Sequence, residues 1–153
     1  MLDKMNSFMA KQLLILLGLL IGLQANAANA INPDKVYDSS IKTIRVHPMG
    51  NDLAIPVISL SQLNPLEISF DDLKAKYQNY FYSVELMNSD WRSANLSVFD
   101  YLQGFNQNRI TQYSISSIAI QRYYHYKFTF PNTNCRPTKS GNYIIKVYKD
   151  SNP

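Results

Sequence analysis

The feature that most constrains this chain is a period of two. In Tyr80-Phe81-Tyr82-Ser83-Val84-Glu85-Leu86, residues Tyr80, Tyr82, Val84 and Leu86 share one phase, and Phe81, Ser83 and Glu85 share the other. An extended backbone sends successive side chains to opposite faces, so this spacing puts one face on a core and the other towards water. The pattern recurs along the chain. Ile44 and Val46 alternate with Thr43, Arg45 and His47; Leu53, Ile55 and Val57 form a second run, with Pro56 on its other phase. Leu66, Ile68 and Phe70 alternate with Glu67 and Ser69, and a weaker run covers Tyr113 to Ile120. Tyr124, Tyr126, Phe128 and Phe130 alternate with Tyr123, His125, Lys127 and Thr129, and Tyr143, Ile145 and Val147 oppose Ile144, Lys146 and Tyr148.

Turn chemistry separates several of these runs. Met49-Gly50-Asn51-Asp52 follows the first and Lys139-Ser140-Gly141-Asn142 precedes the last, while Asn64-Pro65 and Asp71-Asp72 are weaker breaks, the latter read as a solvated turn. A parallel sheet would need crossover helices of about ten residues or more, which this spacing does not provide. The expectation is an all-β, antiparallel β-sandwich of the immunoglobulin or fibronectin-III kind with about seven strands. One short helix is expected inside the long connection from Trp91 to Arg109. Ser97 can cap its start, Asp100 falls in its first turn and Gly104 follows its end, with Phe99, Leu102 and Phe105 spaced to face the sandwich.

The first thirty residues follow a different rule. Lys4 and Lys11 precede an apolar run from Leu13 to Leu23, and Gln24-Ala25-Asn26-Ala27 then offers a small-x-small cleavage site, with another at Ala28-Asn29-Ala30. This is the order of a secretory signal peptide, and the run is shorter than the about twenty residues that span a bilayer. Residues 1–27, or up to 30, are therefore expected to be removed on export. That leaves residues 28–153 as a single domain with no integral membrane segment. No linker or repeat divides it, and its end directly after the last strand suggests a module of a longer protein. With 46% hydrophobic and 17% charged residues, a packed core is expected. The net charge of +4 is spread along the chain without a basic cluster, which argues against nucleic-acid binding.

Catalytic chemistry finds little support. His47 and His125 lack the close ligand spacing of a metal site and lie on polar phases of their strands. Cys135 is the one cysteine, so no internal disulfide can form, and it reads as a small buried hydrophobe. A Cys135–His125 nucleophilic pair lacks an orienting group, and Asp71-Asp72 lacks the glycine and spaced carboxylates of a calcium loop. No phosphate loop, nucleophile elbow or zinc-protease motif is present. No catalytic, cofactor or metal residue is assigned. What stands out is a set of partner-binding candidates in the long connection: Trp91, Arg92, Tyr101, Phe105 and Arg109, with Tyr113 beside them. Trp, Tyr and Arg are the residues that dominate protein interfaces; the same aromatics would equally serve to cover one end of a core, or as a sugar platform.

A series of short motifs adds a resemblance. Ile68-Ser69-Phe70-Asp71-Asp72-Leu73, Tyr77-Gln78-Asn79-Tyr80-Phe81-Tyr82, Asp90-Trp91 and Asn95-Leu96-Ser97 come first. Tyr101-Leu102-Gln103-Gly104-Phe105, Ile110-Thr111-Gln112-Tyr113, Tyr124-His125-Tyr126 and Phe128-Thr129-Phe130-Pro131-Asn132 follow, then Ser140-Gly141-Asn142-Tyr143 and Lys146-Val147-Tyr148. In this order the chain resembles the N-terminal domain of the type IX secretion system plug family. The resemblance implies a non-catalytic periplasmic protein of Bacteroidota, at the inner face of the outer membrane, whose partner is the outer-membrane secretion translocon barrel. In that family the plug occludes the barrel's periplasmic mouth, and its members carry further domains. The alternative is an exported carbohydrate-binding or spacer β-sandwich module.

Overall fold

The structure is a computed structural model that describes residues 34–62, 64–117 and 120–150. The expected signal peptide lies outside the described residues. Nine strands are present among them: β1 (Ile41–Pro48), β2 (Leu66–Asp72), β3 (Tyr80–Met87), β4 (Leu102–Gly104), β5 (Asn108–Arg109), β6 (Gln112–Ile115), β7 (Tyr124–Phe130), β8 (Cys135–Pro137) and β9 (Asn142–Lys149). A single helical turn, α1 (Val98–Tyr101), precedes β4. Every pairing is antiparallel, in a four-stranded sheet β1-β2-β7-β6, a three-stranded sheet β5-β3-β9 and a small β4-β8 pair. This is the expected all-β sandwich, with nine strands among the described residues where about seven were anticipated, β4, β5 and β8 being short additions of two or three residues.

The period of two decides what lies between the sheets. Leu66, Ile68 and Phe70 of β2, Tyr126, Phe128 and Phe130 of β7, and Tyr80, Tyr82, Val84 and Leu86 of β3 are all buried in one cluster. Register explains the match: Ile68 pairs with Phe128 and Phe70 with Tyr126, so their side chains leave the sheet together. Across the core Tyr82 stacks on Phe128 at 4.3 Å between centroids, while Tyr80 meets Tyr126 at 4.9 Å and Phe70 at 5.0 Å. Each such buried ring contributes about 1.5–3 kcal/mol of transfer free energy. Polar tips are satisfied: the Tyr82 hydroxyl accepts from Asn132 Nδ2 at 2.6 Å, and the Tyr126 hydroxyl donates to the Gln78 carbonyl at 3.2 Å.

Four expectations are corrected. The run Leu53, Ile55, Val57 is not a strand, and these side chains are 97%, 78% and 72% exposed. The reason is tertiary: β1 takes β2 as its partner, with Val46 opposite Ile68, and Met49 N–H closes the pair on the Pro65 carbonyl at 2.9 Å. The intervening segment is thereby left out of the sheet. Secondly, Asp71 and Asp72 are no solvated turn; they end β2, and Asp72 is fully buried. Thirdly, the long connection does not turn Phe99 and Phe105 inwards. Only α1 is helical, the backbone is already extended at Leu102, and the change of period buries Tyr101 and Leu102 while leaving Phe99 and Phe105 in solvent. Fourthly, β6 stops at Ile115, and residues 118–119 of the expected run lie outside the described residues.

Two glycines are fixed by geometry. Gly50 takes φ +80° in the turn after β1. Gly104, at φ +98°, sits so close to β8 that a Cβ would stand 2.2 Å from the Asn134 carbonyl oxygen.

Candidate interaction surfaces

The connection from Asn88 to Ile110 runs back along the free edge of β3. Ser93 bridges to Met87, and Ala94 N–H donates to the Leu86 carbonyl at 3.2 Å. The Asn106 side chain accepts from Val84 N–H at 2.8 Å, β5 pairs with Phe81 and Tyr82, and Ile110 N–H reaches the Tyr80 carbonyl at 2.8 Å. An open strand edge is thus capped by a folded segment. The segment bulges outwards at α1, where the Asp100 carboxylate accepts from Ser97 N–H at 3.1 Å, and it leaves a cleft of about 380 Å³ bordered by Glu85, Leu96, Tyr101 and Lys146.

This course sets where the candidate residues stand. Trp91 and Arg92 occupy the turn after β3, whereas Arg109 faces Phe81, six residues before the end of β3 at Met87 and so about 20 Å along the strand from that turn. Phe105 lies between, 72% exposed, with its N–H held by the Asn134 carbonyl at 2.7 Å. Tyr101 belongs to the core beneath them, its hydroxyl donating to the Val84 carbonyl at 3.4 Å. Trp91, Arg92, Phe105 and Arg109 therefore form a broken exposed ridge rather than one flat platform.

At the Arg109 end lies a cluster that sequence reasoning only partly anticipated. Arg109 Nη2 donates to the Tyr77 hydroxyl at 3.0 Å and also bonds the Asn79 side chain. Tyr77 packs on Tyr113 at 5.0 Å, and Tyr113 on Tyr124 and Tyr126 at 5.8 and 5.9 Å. Tyr113 and Ile115 are on the inward phase of β6, opposite Tyr126 and Tyr124, yet both are exposed because the three-stranded sheet does not reach across β6. Tyr77 belonged to a motif of the sequence; its partnership with Arg109 needed the fold.

The opposite flank is also open. Between β1 and β9 runs a groove of about 880 Å³, lined by inward-phase Val46, Leu66, Phe130, Tyr143 and Ile145, with Trp91 at its rim.

The charged groups hold the fold together. Asp72 accepts from Tyr80 Oη at 2.8 Å, Ser40 Oγ at 3.1 Å and Lys74 N–H at 3.0 Å. Burial, reinforced by that carboxylate, holds the Tyr80 hydroxyl well above its ordinary range. Asp38 accepts from Lys149 Nζ at 2.6 Å and Lys74 Nζ at 2.8 Å, which with the Ser40 bonds hold its carboxyl far below the usual range. His125 Nδ1 lies 2.7 Å from Asp71 Oδ1 on the outer face of the large sheet. Burial raises the Cys135 thiol to about 11, so the reactive thiolate is scarce at neutral pH. Among the described residues no group of three or more His, Cys, Asp or Glu side chains converges as metal ligands would, and no helix is long and apolar enough to cross a membrane.

Residues 41–153 match the family model described as Type 9 secretion system plug protein 1st domain. The chain belongs to this family. The plug family is not a known enzyme family. The fold is similar to the crystal structure of a hypothetical protein from Parabacteroides merdae, with 34% sequence identity and a TM-score of 0.73 over 75% of this chain. The chain spans 29% of that protein's length. No curated protein matches it.

Proposed function

We propose that this plug-family domain is a non-catalytic module, exported by its N-terminal leader, that binds and occludes the periplasmic mouth of the type IX outer-membrane translocon barrel. The observation that carries the reading is the family match across the whole sandwich, from β1 to the end of the chain. Physics agrees with the task. Steric occlusion needs a preformed shape that loses little freedom on binding, and this domain has a close-packed aromatic core and a capped β3 edge. The contact surface is the exposed ridge of Trp91, Arg92, Phe105 and Arg109, extended by Tyr77 and Tyr113, with Tyr101 supporting it from the core. Tyr, Trp and Arg supply large contact area and directed donors.

The test is affinity purification of the tagged protein from envelopes of its native host, with mass spectrometry of what accompanies it. One very large outer-membrane barrel is expected, and W91A with R109A should reduce its recovery. A folded, periplasmic protein that brings down no barrel overturns the proposal.

A further inference from the structure

The flank between β1 and β9 is where this sandwich remains unfinished. Both strands are outermost in their sheets, so each presents a row of backbone groups with no ladder partner on that side. Side chains that point into the interior, Val46 and Tyr143 among them, open instead into the groove of about 880 Å³. Alongside it lies Leu53-Ala54-Ile55-Pro56-Val57-Ile58-Ser59-Leu60, eight residues without a charge. Val57, Ile58 and Leu60 line the groove itself, and Leu53, Ile55, Val57 and Leu60 are all exposed. Free-standing domains rarely leave contiguous apolar surface beyond a few hundred Å². The alternation at Leu53, Ile55 and Val57 is that of a strand with one buried face, yet among the described residues it has no strand partner and its side chains are exposed.

We infer that this flank is the seat of the polypeptide that follows the first domain in longer plug-family chains, an uncharged apolar face that lies over Leu53–Leu60 and closes the groove. Two observations name the occupant. The matched family model is that of a first domain, which other domains follow. The Parabacteroides merdae protein, of the same fold over most of this chain, is more than three times as long as the part this chain spans. Charge agrees: residues 53–60 offer nothing to pair with a charged partner, the charged lining of the groove being Asp34 and Lys139 outside this segment, and burial of four aliphatic side chains favours docking of an apolar neighbour. The inference rests on family membership and stands apart from barrel binding.

The test is hydroxyl-radical footprinting of purified proteins, with no translocon present. Side chains of residues 53–60 are expected to label rapidly in this chain. The matching segment of the full-length Parabacteroides merdae protein should label several-fold more slowly. L53D with V57D should leave the melting temperature of this chain unchanged, because both side chains are in solvent here; acidic substitutions at the matching positions should lower that of the longer protein. Equal labelling in the two proteins overturns the inference. So does a melting temperature lowered in this chain, or a dimer of this chain in which residues 53–60 are protected, since the occupant would then be the domain itself or a second copy.

Discussion

Replacing Asp72 by Ala should destabilise the domain as the loss of a buried hub does, although its place in Asp71-Asp72 looks like a surface turn. Its carboxylate receives the Tyr80 hydroxyl at 2.8 Å, the Ser40 hydroxyl at 3.1 Å and Lys74 N–H at 3.0 Å, and the residue is wholly buried. Hydrogen bonds to a charged acceptor contribute about 1.5–3 kcal/mol each, and a buried hydroxyl left without a partner costs about 1–3 kcal/mol. Against this stands the relief of no longer burying a carboxylate. The net expectation for D72A is a loss of about 2–4 kcal/mol, seen as a fall of urea midpoint on the order of 1–2 M at unchanged slope. Y80F isolates the shortest of the three bonds. A double-mutant cycle of D72A and Y80F should return a coupling of about 1.5–3 kcal/mol. A D72A loss below about 0.5 kcal/mol, the range of ordinary surface changes, or a coupling near zero, would refute the account of this hub.

Three further outcomes are expected. V84A, in the centre of β3, should cost roughly 2–5 kcal/mol as buried truncations do, whereas K127A on the outward phase of β7 should cost well under ~1 kcal/mol; equal losses in denaturant melts would mean the faces are misassigned. G104A should cost about 2–4 kcal/mol, from a residue forced to hold φ +98° and a Cβ pressed 2.2 Å from the Asn134 oxygen; a thermal melt matching wild type would show that β8 can give way. Asp38 has a folded pKa below its ordinary 3.8, so its contribution is present above that value and fades as pH falls through it. The stability gap between wild type and D38N should therefore narrow in melts below about pH 4 and also shrink in high salt; a gap that widens in acid would contradict the assignment.

Much of this protein was determined by local sequence. Strands β2, β3 and β7 are legible because a period of two admits one inward set, and Tyr82, Val84, Phe70 and Phe128 fall on it. The helical turn is equally local, since Ser97 N–H donates to the Asp100 carboxylate and Asp100 N–H to the Ser97 carbonyl, three residues apart. The family resemblance, too, is carried by ordered short motifs. Pairing is different, because it is a competition that no single segment records. Leu53 to Val57 has the same alternation as β1, but β2 takes the place beside β1 and leaves that segment in solvent. Asp72 reads as a breaker until Tyr80 and Ser40, brought from other parts of the chain, surround it. The separation of Trp91 from Arg109 follows from a connection that tracks the edge of β3, and the two open flanks follow from one sheet being wider than the other. Alternation tells each residue which way to face; only the assembled sheets decide whether anything is there to meet it.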